Sequence, residues 1–104
     1  MPGRITRTRS AENDLLEIWR YLATEASPAV ADFVIARLYE AMNRAAEHPL
    51  MYRRTDYRGK PRRINVFEYA IFYEPLPERD GIRVRRIIHG RRNIHRVIRR
   101  RREP

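Results

Sequence analysis

The sequence predicts an α+β fold in which a helical hairpin packs on a small, mostly antiparallel sheet. Two segments with apolar residues at helical spacing lie early in the chain, separated by a short turn. One short β-branched segment precedes them, and three segments rich in β-branched and aromatic residues follow. The predicted order is therefore β-α-α-β-β-β plus a basic tail. A length of 104 residues predicts one domain, residues 1–104.

The first two predicted elements are a short strand and a helix. The segment "RITRT" (4–8) is β-branched at three of its five positions and reads as a strand. Ser10 is a candidate cap for a helix from about residue 11 to residue 25. One face of this helix is apolar, through Leu15, Ile18, Trp19 and Leu22. Asp14 and Glu17 lie off that face.

The second helix has clear signals at both ends. Ser27 is its predicted cap, and Pro28 occupies the first helical position, where a missing N–H costs nothing. Pro49 ends the helix at His48. The apolar face comprises Val30, Phe33, Val34, Leu38, Met42 and Ala45. Because so short a turn joins the two helices, they are expected to form an antiparallel hairpin.

Three strands are predicted in the second half. After a loop at 50–60, "PRRINV" and "YAIFYE" form a hairpin that turns near Phe67-Glu68, since one strand of that length would be unusual. A loop at 75–81 leads to the last strand, "IRVRRIIHG" (82–90). Simple alternation in this strand places Ile82, Val84 and Ile88 on one face and Arg83, Arg85 and His89 on the other.

Charge is distributed unevenly along the chain. Residues 1–50 hold 6 Arg and 7 acidic residues, whereas residues 51–104 hold 17 Lys and Arg and 6 acidic residues. The net charge of +10 therefore belongs to the second half. Such an excess predicts an anionic partner, either nucleic acid or an acidic protein. The basic tail, 91–104, is expected to be anchored at its start and partly flexible at its end.

Several classes of function are disfavoured by composition. The chain has no cysteine, which suits the cytoplasm and removes disulfides, thiolate chemistry and the usual zinc sites. No signal peptide or membrane span is expected, because the longest strongly apolar run is "YAIFY". No P-loop, carboxylate pair, nucleophile motif or metal cluster is found. We therefore expect no cofactor and no metal.

The order and spacing of several segments resemble the RelE/ParE superfamily of bacterial toxins from type II toxin–antitoxin systems, and most closely its ParE branch. The matching segments are "AENDLLEIWRYLATEASPAVADFV", "HP" at 48–49, "RRINVFEYAIFYE" and "IIHGRRNI". This resemblance implies a toxin neutralised by a cognate, ParD-like antitoxin. It also implies one of two targets, since ParE toxins act on DNA gyrase and RelE toxins cut mRNA in the ribosome. The fold alone does not choose between them.

The RelE-like alternative is a metal-independent mRNA endonuclease. RNA cleavage needs a base, an acid and cations around the phosphorane. The resemblance aligns Arg62 or Arg63 with a strand arginine and Arg92 with the arginine of the last strand. Ile98 stands where RelE has a tyrosine, so a histidine would have to move the protons. The candidate catalytic residues of this alternative are Arg63, Arg92, His89 and His95.

The favoured hypothesis is a ParE-like toxin that inhibits gyrase by binding, in which no residue is assigned a catalytic role. The positive second half would face the gyrase–DNA complex, and DNA contact through gyrase or the antitoxin is left open. The expected target-binding residues are Arg83, Arg85, Arg91, Arg92, Arg96 and Arg99. The expected antitoxin-binding residues are Leu15, Trp19, Tyr52 and Tyr57. A basic nucleic-acid-binding module with no toxin role is a third possibility.

Overall fold

The structure is a computed structural model that describes residues 3–90. In order, its elements are β1 (Arg4–Arg7), α1 (Arg9–Glu25), α2 (Pro28–Glu47), β2 (Arg62–Val66), β3 (Tyr69–Pro75) and β4 (Gly81–His89). The predicted α+β fold and element order are therefore confirmed. The predictions that concern Arg91, Arg92, His95, Arg96 and Arg99, and the rest of the tail, lie outside the described residues.

The four strands form one mixed sheet in the order β1-β4-β3-β2. The pairs β2–β3 and β3–β4 are antiparallel, whereas β1 runs parallel to β4. The predicted hairpin turn at Phe67-Glu68 is confirmed, and Phe67 adopts a φ of 53° there. The mostly antiparallel sheet expected from the sequence thus contains one parallel pair. The crossover through the two helices leads from β1 to β2 at the opposite edge of the sheet, and the two antiparallel connections that follow place β4 beside β1.

The N-terminal caps of the two helices differ in how well the sequence predicted them. Ser27 accepts a hydrogen bond from the Val30 amide, with Pro28 in the first turn, as expected. The predicted cap of α1 at Ser10 was wrong. Thr8 is the cap, because its extended backbone lets Oγ1 accept from the Ala11 amide at 3.1 Å. Ser10 lies within the first turn of the helix.

The main core lies between the helical hairpin and one face of the sheet. Apolar side chains of both helices interlock there with side chains of β2, β3 and β4; the cluster includes Leu15, Ile18, Leu38, Met42, Ile64, Ile71, Tyr73, Ile82, Val84 and Ile87. Leu38, Met42 and Tyr73 are fully buried. The predicted apolar stripes therefore identify the faces that meet the sheet along α1 and, in α2, from Val34 onward. Val30, which was also assigned to the α2 stripe, is 42% exposed.

One prediction for β4 was wrong, and a β-bulge is the reason. Val84 pairs with Tyr73 and Arg86 pairs with Phe72, so Arg85 is an extra residue with no opposite partner. Beyond the bulge the alternation shifts by one residue. Ile87 joins Ile82 and Val84 in the main core, and Ile88 packs on the opposite face of the sheet.

Side chains of β2 and β3 hold the long loop that follows α2. The Tyr73 hydroxyl donates to the Pro49 carbonyl at 2.8 Å, and Arg62 donates to the carbonyls of Leu50 and Tyr52. Arg54 forms an isolated antiparallel bridge with Arg62. The loop is thereby tied along the free edge of β2 before it crosses the sheet. No helix among residues 3–90 is long and apolar enough to span a membrane.

Candidate functional site

The candidate site is the face of the sheet opposite the helices, which we call the outer face. Its floor is a small apolar cluster of Ala70, Phe72 and Ile88, all buried. Tyr57, from the loop, packs on this cluster with its ring at 82° to that of Phe72 and 5.8 Å between ring centroids. The outer face therefore has an apolar floor and is partly covered by the loop.

Arg63 lies above the floor from β2. Its guanidinium carbon is 5.6 Å from the centre of the Phe72 ring, a favourable cation–π position. Its Nε donates to the Asn65 side chain at 2.9 Å. Because Nε is used in this way, the terminal nitrogens of Arg63 remain the groups that a ligand would meet.

Two arginines of β4 share one carboxylate on the same face. Glu74 lies 3.4 Å from Nη1 of Arg83 and 3.9 Å from Nη1 of Arg85. The two arginine side chains are 49% and 39% exposed. Ion pairs this open to water are weak. One acidic group therefore balances two cations here, and both guanidiniums keep donors for an external anion.

The tip of the loop adds two further cations. Gly59 has a φ of 80° and Lys60 a φ of 48°, and the Lys60 amide donates to the Tyr57 carbonyl to close the turn. A Cβ on Gly59 would lie 2.6 Å from Nη1 of Arg85. Glycine thus suits both the backbone and the close approach of Arg85. Arg58, exposed, and Lys60, partly exposed, flank this contact.

The bulge that carries Arg85 is held from the helical side of the molecule. The Thr8 hydroxyl donates to the Arg85 carbonyl at 2.8 Å, in addition to capping α1. Arg86 makes a two-point ion pair with Asp14 of α1, and Asp14 also accepts from the Ile87 amide at 2.9 Å. The hydrogen bond to Asp14 raises the pKa of Arg86 above its ordinary value.

Sequence reasoning missed the structural role of Asp14. It placed this residue off the apolar stripe of α1, as if it faced water, yet the carboxylate is buried. Strand β1 covers β4 only as far as Val84, so the Ile87 amide meets Asp14 where a neighbouring strand would otherwise stand. A polar residue inside an apolar helix segment was the only sequence signal, and its partner lies 72 residues away.

The described residues of the endonuclease alternative do not converge. Arg63 of β2 pairs with Phe72 of β3, and His89 of β4 pairs with Tyr69 of β3. The two are thus separated by about 10 Å along the strands and about 10 Å across them. His89 packs on the Tyr69 ring and its Nε2 is 2.9 Å from Glu68. The predicted grouping of His89 with Arg83 and Arg85 on one face was wrong, because the bulge moves His89 to the Tyr69 side.

The four residues expected to bind an antitoxin occupy different places. Leu15 belongs to the main core and is 8% exposed. Trp19 is half-buried between the helices, where its Nε1 donates to Asp32 at 2.8 Å. Tyr52 packs against Tyr73 at the edge of the main core, and Tyr57 lies on the outer face. The structure does not bring these residues together into one surface.

An exposed aromatic pair that the sequence did not single out lies near the β2–β3 turn. Phe33 and Phe67 are 54% and 61% exposed, and their ring centroids are 6.2 Å apart. The guanidinium of Arg37 lies 5.0 Å from the centre of the Phe33 ring and pairs with Glu40. The helical periodicity had assigned Phe33 to the core face. Near the start of α2 it instead lies beside Phe67 and is more than half exposed.

Within residues 3–90 no group of three or more His, Asp or Glu side chains is placed to hold a metal ion. The outer face instead offers cations. Its cationic residues are Arg58, Lys60, Arg63, Arg83 and Arg85. An arrangement of this kind binds anionic groups by charge and hydrogen bonding.

Comparison with known proteins agrees with the order of elements and with the mixed sheet. The family model for the ParE toxin of type II toxin–antitoxin systems (parDE) matches residues 5–94. The chain belongs to the ParE toxin family. It is therefore a toxin of the type II toxin–antitoxin class, and the predicted membership of the ParE branch is confirmed. No curated protein matches the sequence.

Solved structures similar to this ParE toxin come from both branches of the superfamily. A chain of the chromosomal ParDE toxin–antitoxin system from P. aeruginosa has a TM-score of 0.71 and 16% identity, covering 84% of this chain and 95% of that one. A chain of the RelBE2 toxin–antitoxin complex from Mycobacterium tuberculosis has a TM-score of 0.57 and 16% identity, covering 86% and 99%. At this identity both similarities establish a shared fold.

Proposed function

We propose that this ParE-family toxin inhibits DNA gyrase by binding to the gyrase–DNA complex, without catalysing a reaction of its own. The observation that supports the proposal most directly is the composition of the outer face. It gathers cations from β2, β4 and the loop around an apolar floor, with Glu74 as the carboxylate between Arg83 and Arg85. A surface of this kind suits recognition of an anionic assembly. The arginines proposed to contact the target are Arg83, Arg85, Arg91, Arg92, Arg96 and Arg99.

The positions of the two described histidines also favour binding over catalysis. His48 caps the end of α2, and His89 lies against Tyr69 beside Glu68. Neither is grouped with Arg63, Arg83 and Arg85. A metal-independent ribonuclease needs a proton-transfer group within hydrogen-bond reach of the phosphate that its cations hold. Neither described histidine is placed to supply that group beside these cations.

We propose a cognate, ParD-like antitoxin as the partner that neutralises the toxin. The two similar solved structures are described as toxin–antitoxin systems, and the net charge of +10 favours a partner with an acidic segment. The proposed site includes the hairpin around Trp19 and the loop around Tyr52 and Tyr57. Leu15 would act through the fold, since it is buried. A gyrase target places the toxin in the cytoplasm.

The supercoiling assay tests the proposed target. Purified toxin, free of antitoxin, is added to gyrase and relaxed plasmid, and both supercoiled and linear DNA are measured. We expect lost supercoiling together with accumulated linear plasmid, and reversal of both when antitoxin is added first. Unchanged gyrase activity at toxin concentrations well above that of the enzyme would refute the proposal.

The second candidate function is ribosome-dependent mRNA cleavage, with Arg63, Arg92, His89 and His95 as its residues. The position of Arg63 on the outer face, above the Phe72 ring, is the observation in its favour. The matching test adds the toxin to a translating cell-free extract and maps new 5′ ends on the mRNA. Codon-dependent cuts that disappear in R63Q would establish this function in place of gyrase inhibition.

A further inference from the structure

We propose that the outer face binds the sugar–phosphate backbone of nucleic acid directly, at a site formed by Arg58, Lys60, Arg63, Arg83 and Arg85. This inference rests on the proposed function and deepens it, because it assigns the face to the DNA of the gyrase complex and not to the gyrase protein. It is also testable without gyrase.

The first argument is the spread of the cations. Arg63 lies on β2 and Arg83 and Arg85 lie on β4, with β3 between them, so the charges span about 10 Å across the sheet. Arg58 and Lys60 extend this surface over the loop. A single carboxylate or phosphate ion would contact only part of it. A polyanion with one phosphate about every 3.4 Å along each strand contacts several of these cations together.

The second argument is that the cations are available. Three described acidic residues lie in this region. Glu74 is shared by Arg83 and Arg85 at 3.4 and 3.9 Å, Asp56 is exposed in the loop, and Glu68 lines the same surface cavity as Arg63 but lies 2.9 Å from Nε2 of His89. By contrast, Arg86 donates two hydrogen bonds to Asp14, at 2.8 and 2.9 Å. Two neighbouring arginines of one strand thus differ in role. Arg86 stabilises the fold, and Arg85 is left to meet an external anion.

The third argument is that the site is held in place. The bulge residue Arg85 has its carbonyl fixed by Thr8, and its guanidinium lies against Gly59 of the loop. The loop is fixed in turn by hydrogen bonds from Thr55 to the Pro61 carbonyl, through both its amide and its hydroxyl. Cations held by backbone contacts on two elements lose less side-chain entropy on binding than cations on free chains.

The test measures binding of the full-length toxin to a fluorescent 20-nucleotide DNA, single-stranded and duplex, and to an RNA of the same sequence. The double variant R83Q/R85Q is compared with R20Q/R44Q, which removes the same charge from the exposed helical side. We expect R83Q/R85Q to weaken binding roughly thirtyfold at 0.1 M salt and to lower the slope of log K against log salt by about 1.4 to 1.8, because each of the two lost phosphate contacts contributes about 0.7 to 0.9 to that slope. R20Q/R44Q should change binding by less than about threefold.

The outcomes separate this inference from the proposed function. If R83Q/R85Q binds DNA and RNA as tightly as R20Q/R44Q while both remain folded, the outer-face site is refuted. If R83Q/R85Q keeps DNA affinity but loses gyrase inhibition or antitoxin binding, the face contacts an acidic protein surface and the inference is also refuted. If nucleic-acid binding depends on Arg83 and Arg85 but gyrase is unaffected, the site stands and the gyrase target is wrong. Thermal unfolding of both variants within a few degrees of the unmodified toxin is the folding control.

Discussion

Arg86 and Asp14 form a two-point ion pair, in which Nε and Nη2 of the arginine donate to the two carboxylate oxygens at 2.8 and 2.9 Å. The pair joins the first helix to the last strand, and the same carboxylate accepts the Ile87 amide. It thereby supplies the hydrogen-bond partner that β4 lacks beyond the end of β1. The same ion pair also bears on the outer face. Arg85, whose side chain lies on that face, is the residue directly before Arg86.

We expect D14A to lower the free energy of unfolding by about 3 kcal/mol, because it leaves the partly buried Arg86 and the Ile87 amide without their acceptor. D14N, which keeps an acceptor oxygen, should cost less, about 1 to 2 kcal/mol. Urea denaturation followed by circular dichroism measures both. N13A, at an exposed position of the same helix, is the control and should stay within about 0.5 kcal/mol. Equal effects of D14A and N13A would contradict the structural role of Asp14.

Thr8 has two tasks that a substitution series separates. Its hydroxyl caps α1 and donates to the Arg85 carbonyl, so T8A should lose about 2 kcal/mol, the sum of a cap and a hydrogen bond. T8S keeps the hydroxyl and should remain within about 0.5 kcal/mol of the unmodified protein. S27A, which removes only a cap, should cost about 1 kcal/mol. The idea fails if T8A is no more destabilising than S27A in equilibrium unfolding.

Tyr73 gives a pH dependence of stability at high pH. Burial raises the pKa of its phenol above the ordinary 10.0, so the folded protein binds this proton more tightly than the unfolded chain does. This tighter proton binding contributes to the free energy of unfolding. The contribution is fully present below pH 10 and is lost as the pH rises from there toward the folded pKa, by at most about 1.4 kcal/mol per pH unit. Unfolding by urea at pH 7, 9 and 10.5 measures it.

The matched variant for this prediction is Y73F. It lacks the titrating proton and should show a flatter profile above pH 10. It should also be less stable by about 1 kcal/mol at pH 7, because the hydrogen bond to the Pro49 carbonyl is lost. Parallel profiles for the two proteins between pH 9 and 10.5 would show that Tyr73 does not carry the effect.

The core between the hairpin and the sheet depends on Leu38, which is fully buried. L38A should lower the free energy of unfolding by about 2 to 5 kcal/mol through lost apolar burial and a residual cavity. L16A changes a leucine that is 47% exposed on α1 and should cost much less, about 0.5 kcal/mol. Similar losses for the two leucines in chemical denaturation would contradict the assignment of the core face.

The role proposed for the arginine tail is tested by deleting residues 96–104. The family model ends at residue 94, so the deletion leaves the whole matched region in place. We expect weaker gyrase inhibition, reflected in a higher toxin concentration for half-maximal loss of supercoiling, while antitoxin binding is retained. A matched variant keeps the full length but carries glutamine in place of every arginine between residues 96 and 104. It separates the effect of the charge of the tail from the effect of its length. Unchanged inhibition by both proteins would remove the tail from the proposed interface.

Local signals in the sequence were sufficient for the helical hairpin and the β2–β3 turn. Ser27 and Pro28 define the start of α2 within a few residues, and the apolar stripe around Leu38 identifies its buried face. These features depend on neighbours three or four positions apart. They are therefore readable from one sequence without knowledge of the remainder of the fold.

The parts that were wrong or missed depend on partners distant in sequence. The role of Asp14 requires Arg86, and the cap at Thr8 is reinforced by the Arg85 carbonyl. The bulge at Arg85 has no turn residue or glycine to mark it, and it reverses the face on which Ile88 and His89 lie. A strict alternation rule fails at a bulge, because the rule assumes one partner for each residue.

The pairing of β1 with β4 has a consequence for how the toxin is made. Arg4–Arg7 lies in register with residues 81–84, so β1 pairs only with β4, which comes far later in the sequence. Contacts between segments far apart in sequence are slow to form, and this one cannot exist before β4 has been synthesised. During synthesis the hairpin of α1 and α2 emerges long before the sheet that covers it. The four-stranded sheet is therefore completed only after β4 has left the ribosome.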